Sequence, residues 1–354
     1  MASDVERVLK EDVFPGNNVA FAALKDYVIE GRITAFTGAG VSVPVFPSWT
    51  GLLSGWLDDA VNEGFVTTDV HEYRDLLHRD PLELAELLEQ AFTTDVFRAR
   101  LGNIFRNSDG SRTDCHKFIS DLGARGIVTL NYDNGHEIAH AEKGRNPNAG
   151  KAQDTATLTR WAQDDIFKDV ESPILHFHGD VSDPKQMVLT SSDYDRFYAQ
   201  ALPDAFLSQL WRTHRLLAIG FGFTDPFLTR IAERTLRSLP TDTRHFALIG
   251  QDEGKSVSPI QRKIFAKKYR VVPVFYEVRK SASSVGIQDH SDLLSILKAL
   301  PERAATEIQS QSIATVETSE KPLESAIKLS TEKDFRADLF VAPSGNTLYA
   351  NPDS

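Results

Sequence analysis

Three stretches of the sequence end apolar, β-branched runs in residues suited to chemistry: Thr37-Gly38-Ala39-Gly40-Val41-Ser42, Asn131-Tyr132-Asp133 and His176-Phe177-His178-Gly179-Asp180. A glycine-rich turn after a strand lets the backbone bend tightly and approach a diphosphate, with N–H groups as donors. This assigns Gly38, Ala39, Gly40 and Ser42 to ligand binding. Asn131 can hydrogen-bond a ribose hydroxyl and hold an attacking water below C1′. Asp133 can orient that network or stabilise a cationic sugar, and it can equally cap a helix beginning near Asn134. His178, with an ordinary pKa near ~6.5, can take a proton from a ribose hydroxyl or a water. His176, two residues earlier, should share its side of a strand. His178 is the preferred base because it directly precedes Gly179, where the chain leaves the strand. Farther on, Gly220 and Gly222 can bring a second loop to the ligand, and Asp225 can cap the helix opened by Pro226. For these three, ligand contact and a purely structural role both remain open. The expected ligand is a dinucleotide, attacked at its ribose.

Such residues act together only if strand ends bring them to one place. Arg32–Thr37, Ile127–Leu130, Ile174–Phe177, Met187–Leu189, Arg215–Ile219, Phe246–Ile249 and Val271–Tyr276 are apolar runs of strand length. Helical patterns separate several of them, Pro226–Leu239 among these, which points to an α/β fold with a Rossmann-like, doubly wound parallel sheet. In such sheets ligands bind outside the carboxyl ends of the strands. Residues 1–31 read as a helical approach to the first strand. Between the first and second strands, about 50–120, lies a helical insertion. Ser48 caps an amphipathic stretch with Leu52, Leu53, Trp56 and Leu57, and Pro81 opens a second long stretch running through Leu84, Leu88, Phe97, Leu101 and Phe105. Lys143–Thr157, rich in Gly, Asn, Lys and Asp, reads as a flexible loop beside the site. Residues 303–335, rich in Ser, Thr, Glu and Lys, read as a linker or weakly ordered segment. The apolar residues Leu339, Phe340, Val341, Leu348 and Tyr349 mark 336–354 as a docking segment for a neighbouring subunit or partner, with a frayed tail as the alternative.

Composition narrows the classes. The 354 residues carry 39 basic and 50 acidic side chains, a net charge of −11, which disfavours direct nucleic-acid binding. The one cysteine, Cys115, permits neither an internal disulfide nor a four-cysteine zinc module, and reads as a buried bystander. A reducing cytoplasm is the expected setting. No run of ~18 apolar residues suggests a membrane span, and the charged N-terminus does not read as a signal peptide. Trp49, Trp56, Trp161 and Trp211 read as packing residues.

The order of motifs resembles the sirtuin family. Gly38-Ala39-Gly40-Val41-Ser42, Thr129-Leu130-Asn131-Tyr132-Asp133, Leu175-His176-Phe177-His178-Gly179-Asp180, Met187-Val188-Leu189-Thr190 with Asp193-Tyr194, and Gly220-Phe221-Gly222-Phe223-Thr224-Asp225-Pro226 follow it across about residues 30–280. The third glycine of a dehydrogenase fingerprint is missing, since Val43-Pro44-Val45 follows Ser42. The four cysteines of the deacylase zinc module are missing too, and Pro47-Ser48-Trp49 stands where deacylases carry Asp-Phe-Arg. The chain is therefore most similar to the sirtuin-like NADases of bacterial anti-phage defence. That resemblance implies a metal-free NAD+ glycohydrolase domain over 1–302, with Asn131, His178 and Asp133 catalytic. It implies abortive infection by NAD depletion, gated by homo-oligomerisation or by a separately encoded partner such as a translocase-type ATPase or an Argonaute-like protein. A sensor module that binds NAD or ADP-ribose, and an NAD-dependent protein deacylase, are the competing functions.

Overall fold

The computed structural model of the chain describes residues 4–106, 110–221, 245–280 and 288–301. Its strands are β1 (Ile33–Thr37), β2 (Gly126–Thr129), β3 (Ala149–Lys151), β4 (Ile174–His176), β5 (Arg215–Ile219), β6 (His245–Asp252), β7 (Val271–Lys280) and β8 (Gln288–Asp289). They form one sheet in the order β3-β4-β2-β1-β5-β6-β7-β8. Every pair is parallel except β7 with β8. The chain leaves β1 to build β2 on one side and later returns to lay β5 on the other, so the winding reverses at β1. Register then decides where the loops emerge. Thr37 lies opposite both Thr129 and Ile219, and Thr129 lies opposite His176. Four strands thus end level, and the glycine turn, Asn131, His178 and Gly220 leave the same edge.

The short central strands are buried throughout, as uncharged runs of apolar and β-branched residues in a parallel sheet should be. Their alternate residues serve two cores. Ala35, Ile127 and Leu217 face helices Asp4–Leu9, Asn17–Ile29, Asp114–Asp121 and Ser291–Ala299, through Leu24, Ile119 and Leu293 among others. Phe36, Val128 and Leu216 face helices Thr155–Ala162, Ser191–Tyr198 and Ala201–Thr213, through Trp161, Phe197, Phe206 and Trp211. This two-sided burial confirms the α/β, Rossmann-like reading.

The helical stretch between β1 and β2 builds a third core. Helices Trp49–Asn62, Val70–Arg79, Pro81–Phe92 and Thr94–Phe105 pack around Leu53, Trp56, Leu84 and Phe97. Tyr132, Met187 and Leu189 complete that core from the carboxyl-edge loops, so the inserted helices sit over the site side of the sheet. Ser48 Oγ accepts from the Gly51 amide and Asp80 from the Glu83 amide, with Pro81 at the first turn, as the cap signals predict. The long stretch expected after Pro81 is two helices, broken at Thr93, whose φ of 70° cannot continue a helix. The helix Val70–Arg79 was not expected.

Two other expectations are corrected. Met187–Leu189 is not a strand: it follows a 3₁₀ turn, Pro184–Gln186, and its Met187 and Leu189 side chains fill the third core instead of extending the sheet. The segment 143–157 is not all loop, since Ala149–Lys151 adds the parallel edge strand beside β4, and small residues suit that short edge. The helix expected at Pro226–Leu239, with Gly222 and Asp225, and the whole tail 303–354 lie outside the described residues.

Candidate active site

Each strand end contributes differently. After β1, Gly38 and Ala39–Val41 form a single 3₁₀ turn packed directly on Gly220, the residue that follows β5. A Cβ on Gly40 would stand 2.8 Å from Gly220 Cα, and one on Gly38 would stand 2.7 Å from the Gly220 carbonyl oxygen. Gly220 itself has φ +63°, and a Cβ there would meet the Val41 amide nitrogen at 2.5 Å. The glycines therefore let two loops touch backbone to backbone at the point where the winding reverses. Their amides are mostly committed inside the protein: Gly38 N–H donates to Ile219, Gly40 to Gly220, Val41 to Gly38 and Ser42 to Ala39. The expectation of a row of free N–H donors is thus narrowed to Ala39, whose N–H bonds to no backbone carbonyl of the described residues.

Ser42 lies at the centre of a closed network. Its hydroxyl donates to Asp133 Oδ2 at 2.7 Å and accepts from Asn131 Nδ2 at 2.8 Å. The second proton of the Asn131 amide goes to the Gly38 carbonyl at 3.1 Å. With Ser42 and Gly38 both taking protons from it, the amide cannot be flipped, and Asn131 Oδ1 accepts no bond from the described residues. Asp133 makes two hydrogen bonds, one with each oxygen. One oxygen holds Ser42, and the other accepts the amide of Gly135, the first residue of helix Gly135–Ala141, at 2.9 Å from the position before the N-cap Asn134. All three side chains are buried.

The two histidines at the end of β4 part company. Strand geometry stops at His176, so the alternation that would have placed His178 on the same side no longer applies. His176 is fully buried and bonds through Nδ1 to the Asn131 backbone carbonyl at 2.9 Å and through Nε2 to Glu137 at 2.8 Å. Burial alone would keep its ring neutral, but the charge and hydrogen bond of Glu137, helped by the Asn131 carbonyl, raise its pKa to about 9. It is an imidazolium donating from both nitrogens at neutral pH. His178 turns to the opposite wall, where its Nε2 lies 3.0 Å from the Tyr198 hydroxyl and its ring packs edge-on against Tyr194 and Phe197. Burial pushes the Cys115 thiol up to about 12, in keeping with a bystander. Trp56, Trp161 and Trp211 are buried in the cores, as packing residues are.

Structure thus joins Gly38, Ser42, Asn131, Asp133 and Gly220 in one contact network, with His178 at the neighbouring strand end. Residues not anticipated are Tyr198, Glu137, Thr113 and His116. The last two sit in the sequence as a helix-start pattern, Thr-x-x-His, which announces a cap and not a site. Among the described residues no cluster of His, Cys, Asp or Glu could hold a metal ion, and no helix is long and apolar enough to cross a membrane.

The family model described as SIR2-like domain matches residues 125–274. The chain is similar to the NAD(+) hydrolase ThsA of Bacillus cereus (strain MSX-D12), 26% identical over 253 residues, covering 67% of this chain and 48% of that protein. It is also similar to the NAD(+) hydrolase ThsA of Enterococcus faecium, 24% identical over 297 residues, covering 80% and 58%. The chain spans about half the length of these curated relatives. The matched region starts just before β2, and β1 with its glycine turn is tied to it by sheet register and by the Ser42 network. The residues that the SIR2-like model matches, Arg125 to Val274, include Asn131, Asp133 and His178, and over them this chain is similar to that family.

Proposed function

We propose that this chain hydrolyses the N-glycosidic bond of NAD+, giving nicotinamide, ADP-ribose and a proton from NAD+ and water. One observation carries the reading: both amide protons of Asn131 are spent on Ser42 and Gly38, which leaves its Oδ1 to meet a ribose hydroxyl or the attacking water. The names of the similar proteins supply the substrate. As nicotinamide departs, positive charge grows at C1′. The Asp133 carboxylate, fixed by Ser42 and the Gly135 amide, favours that charge electrostatically, and the fixed amide holds water in line. His178, seated against Tyr198, takes the proton. Ala39 and Gly40 face solvent on the turn and receive the diphosphate, with Gly220 beneath them. Gly222 and Asp225 are proposed to extend that binding loop.

The same resemblance supports a role in anti-phage defence by depleting cellular NAD in the cytoplasm, as in abortive infection. An activity of this kind needs a gate, and homo-oligomerisation or a separately encoded partner, a translocase-type ATPase or an Argonaute-like protein, is the proposed one. The segment 336–354, joined through 303–335, is the proposed contact. The test is direct: purified protein is incubated with NAD+, alone and with the product of the neighbouring gene, and nicotinamide is followed by chromatography. Stoichiometric release of nicotinamide and ADP-ribose is expected. No release under either condition rejects the hydrolase reading.

A further inference from the structure

We propose that His116, on the last helix before β2, is a positioning residue of this site: as a neutral ring protonated at Nε2 it fixes the Ser42 hydroxyl, and through it the Asn131 amide. The argument starts from donors and acceptors. Helix Asp114–Asp121 begins with a reciprocal cap in which Thr113 Oγ1 accepts the His116 amide and the Thr113 amide donates to His116 Nδ1 at 3.2 Å. The Thr113 hydroxyl proton goes to the Val41 carbonyl at 2.6 Å. Nδ1 lies against both Thr113 groups, 2.9 Å from the hydroxyl oxygen and in line with the amide, and a ring nitrogen that receives a backbone N–H carries no proton of its own, so the proton of the neutral imidazole sits on Nε2. That nitrogen lies 3.4 Å from Ser42 Oγ and 3.7 Å from Asp133 Oδ1.

Ser42 then has one consistent solution. Its oxygen receives protons from Asn131 and from His116, so its own hydroxyl proton must go to Asp133. Without the His116 donor the hydroxyl keeps a free lone pair, and only its bonds to Asp133 and Asn131 then hold its orientation. The ring is held on its other side as well. Gly135 packs on it so closely that a Cβ there would stand 2.6 Å from His116 Cε1, and His136 meets it edge-on at 4.7 Å between centroids. The charged and titratable groups around the ring are Asp133, Glu137, Arg112 and His136. Burial outweighs the pull of Asp133 and Glu137 and lowers the His116 pKa, with Arg112 acting in the same direction, so the ring stays neutral. His136 is itself buried and held neutral, and its Nε2 is occupied by Thr37. The capping box of an ordinary-looking helix thus sets the tautomer of a ring that orients the site.

Two measurements test this, one independent of turnover. Protein labelled with ¹⁵N at histidine and asparagine should show His116 as the Nε2–H tautomer from pH 6 to pH 8, with the Asn131 side-chain NH₂ protected from exchange. In His116→Phe that protection should fall at least tenfold. An Nδ1–H tautomer, or unchanged protection in the variant, overturns the proposal. The kinetic arm rests on the hydrolase reading. Where the wild type releases nicotinamide, His116→Phe should lower kcat about 10- to 100-fold with KM within about threefold, the pattern of a misplaced catalytic group. A merely structural histidine would instead reduce the folded fraction and leave turnover per folded molecule unchanged, and that result also overturns it. A wild type that cleaves no NAD+ rejects the hydrolase reading alone, while the tautomer and exchange results still decide the positioning role.

Discussion

The His176–Glu137 pair gives a stability change whose dependence on pH is set by the structure. His176 has its pKa raised from an ordinary 6.5 to about 9, against the effect of burial, by Glu137 and the Asn131 carbonyl. A group whose pKa is higher in the folded state stabilises fully below its unfolded value, and that stabilisation is lost as pH rises through the folded value. Glu137→Gln keeps the shape of the side chain and removes the charge. If the variant ring reverts to its ordinary pKa, linkage gives a loss of about 3 kcal/mol at pH 5, about 2.5 kcal/mol at pH 7 and close to zero at pH 10. Urea unfolding of both proteins at the three pH values, with equal slopes, reads the difference. The gap should close between about pH 8 and pH 10. A gap of the same size at pH 7 and pH 10 would mean that packing, not charge, holds this pair, and no gap at pH 7 would mean that His176 is not the buried imidazolium described here. Because His176 also holds the Asn131 carbonyl, nicotinamide release by the wild type should decline over the same alkaline range.

Asn131→Ala and His178→Ala should each abolish nicotinamide release while circular dichroism and urea midpoints stay close to wild type; normal turnover by either variant removes that residue from the proposed mechanism. Gly40→Val should weaken NAD+ binding in calorimetry, and because its side chain would press on Gly220 it should also lower the unfolding midpoint, so a stable variant with unchanged affinity would move the diphosphate elsewhere. Arg98 pairs with Glu89 within the inserted helices and joins them to Asp193 of helix Ser191–Tyr198 and to the Met187 carbonyl of the loop after His178, all largely buried. Arg98→Met should therefore cost about 3–5 kcal/mol in urea unfolding, since it strands Glu89 without a counter-charge and leaves Asp193 with the exposed Arg196 alone. A loss below 1 kcal/mol would show that the cluster relaxes toward water.

Much of this protein was legible in its sequence because the signals were local. Apolar runs ending in Gly-Ala-Gly, Asn-Tyr-Asp and His-Gly marked strand ends, and Ser48 and Pro81 marked helix starts, since caps and turns are written within four residues. The two-faced burial of β1 and β2 followed from their apolar and β-branched residues, with no charged side chain in either. What the sequence could not determine depends on partners far along the chain. Met187–Leu189 has the composition of a strand, but the inserted helices offer its side chains a core more than eighty residues away in sequence, and packing overrode propensity. Ala149–Lys151 has the composition of a loop, yet the exposed edge of β4 supplied a ladder for it. Gly40 looked like a ligand-facing glycine, and only the register that sets Thr37 opposite Ile219 shows that it first makes room for Gly220. His176 and His178 differ by two positions and could not be separated by spacing. The strand ends between them, so one ring reaches Glu137 and becomes a buried cation, and the other turns to Tyr198. His116 carried no signal beyond a helix cap, because its partners Ser42 and Asp133 are brought to it only when β1 and β2 pair across the insertion.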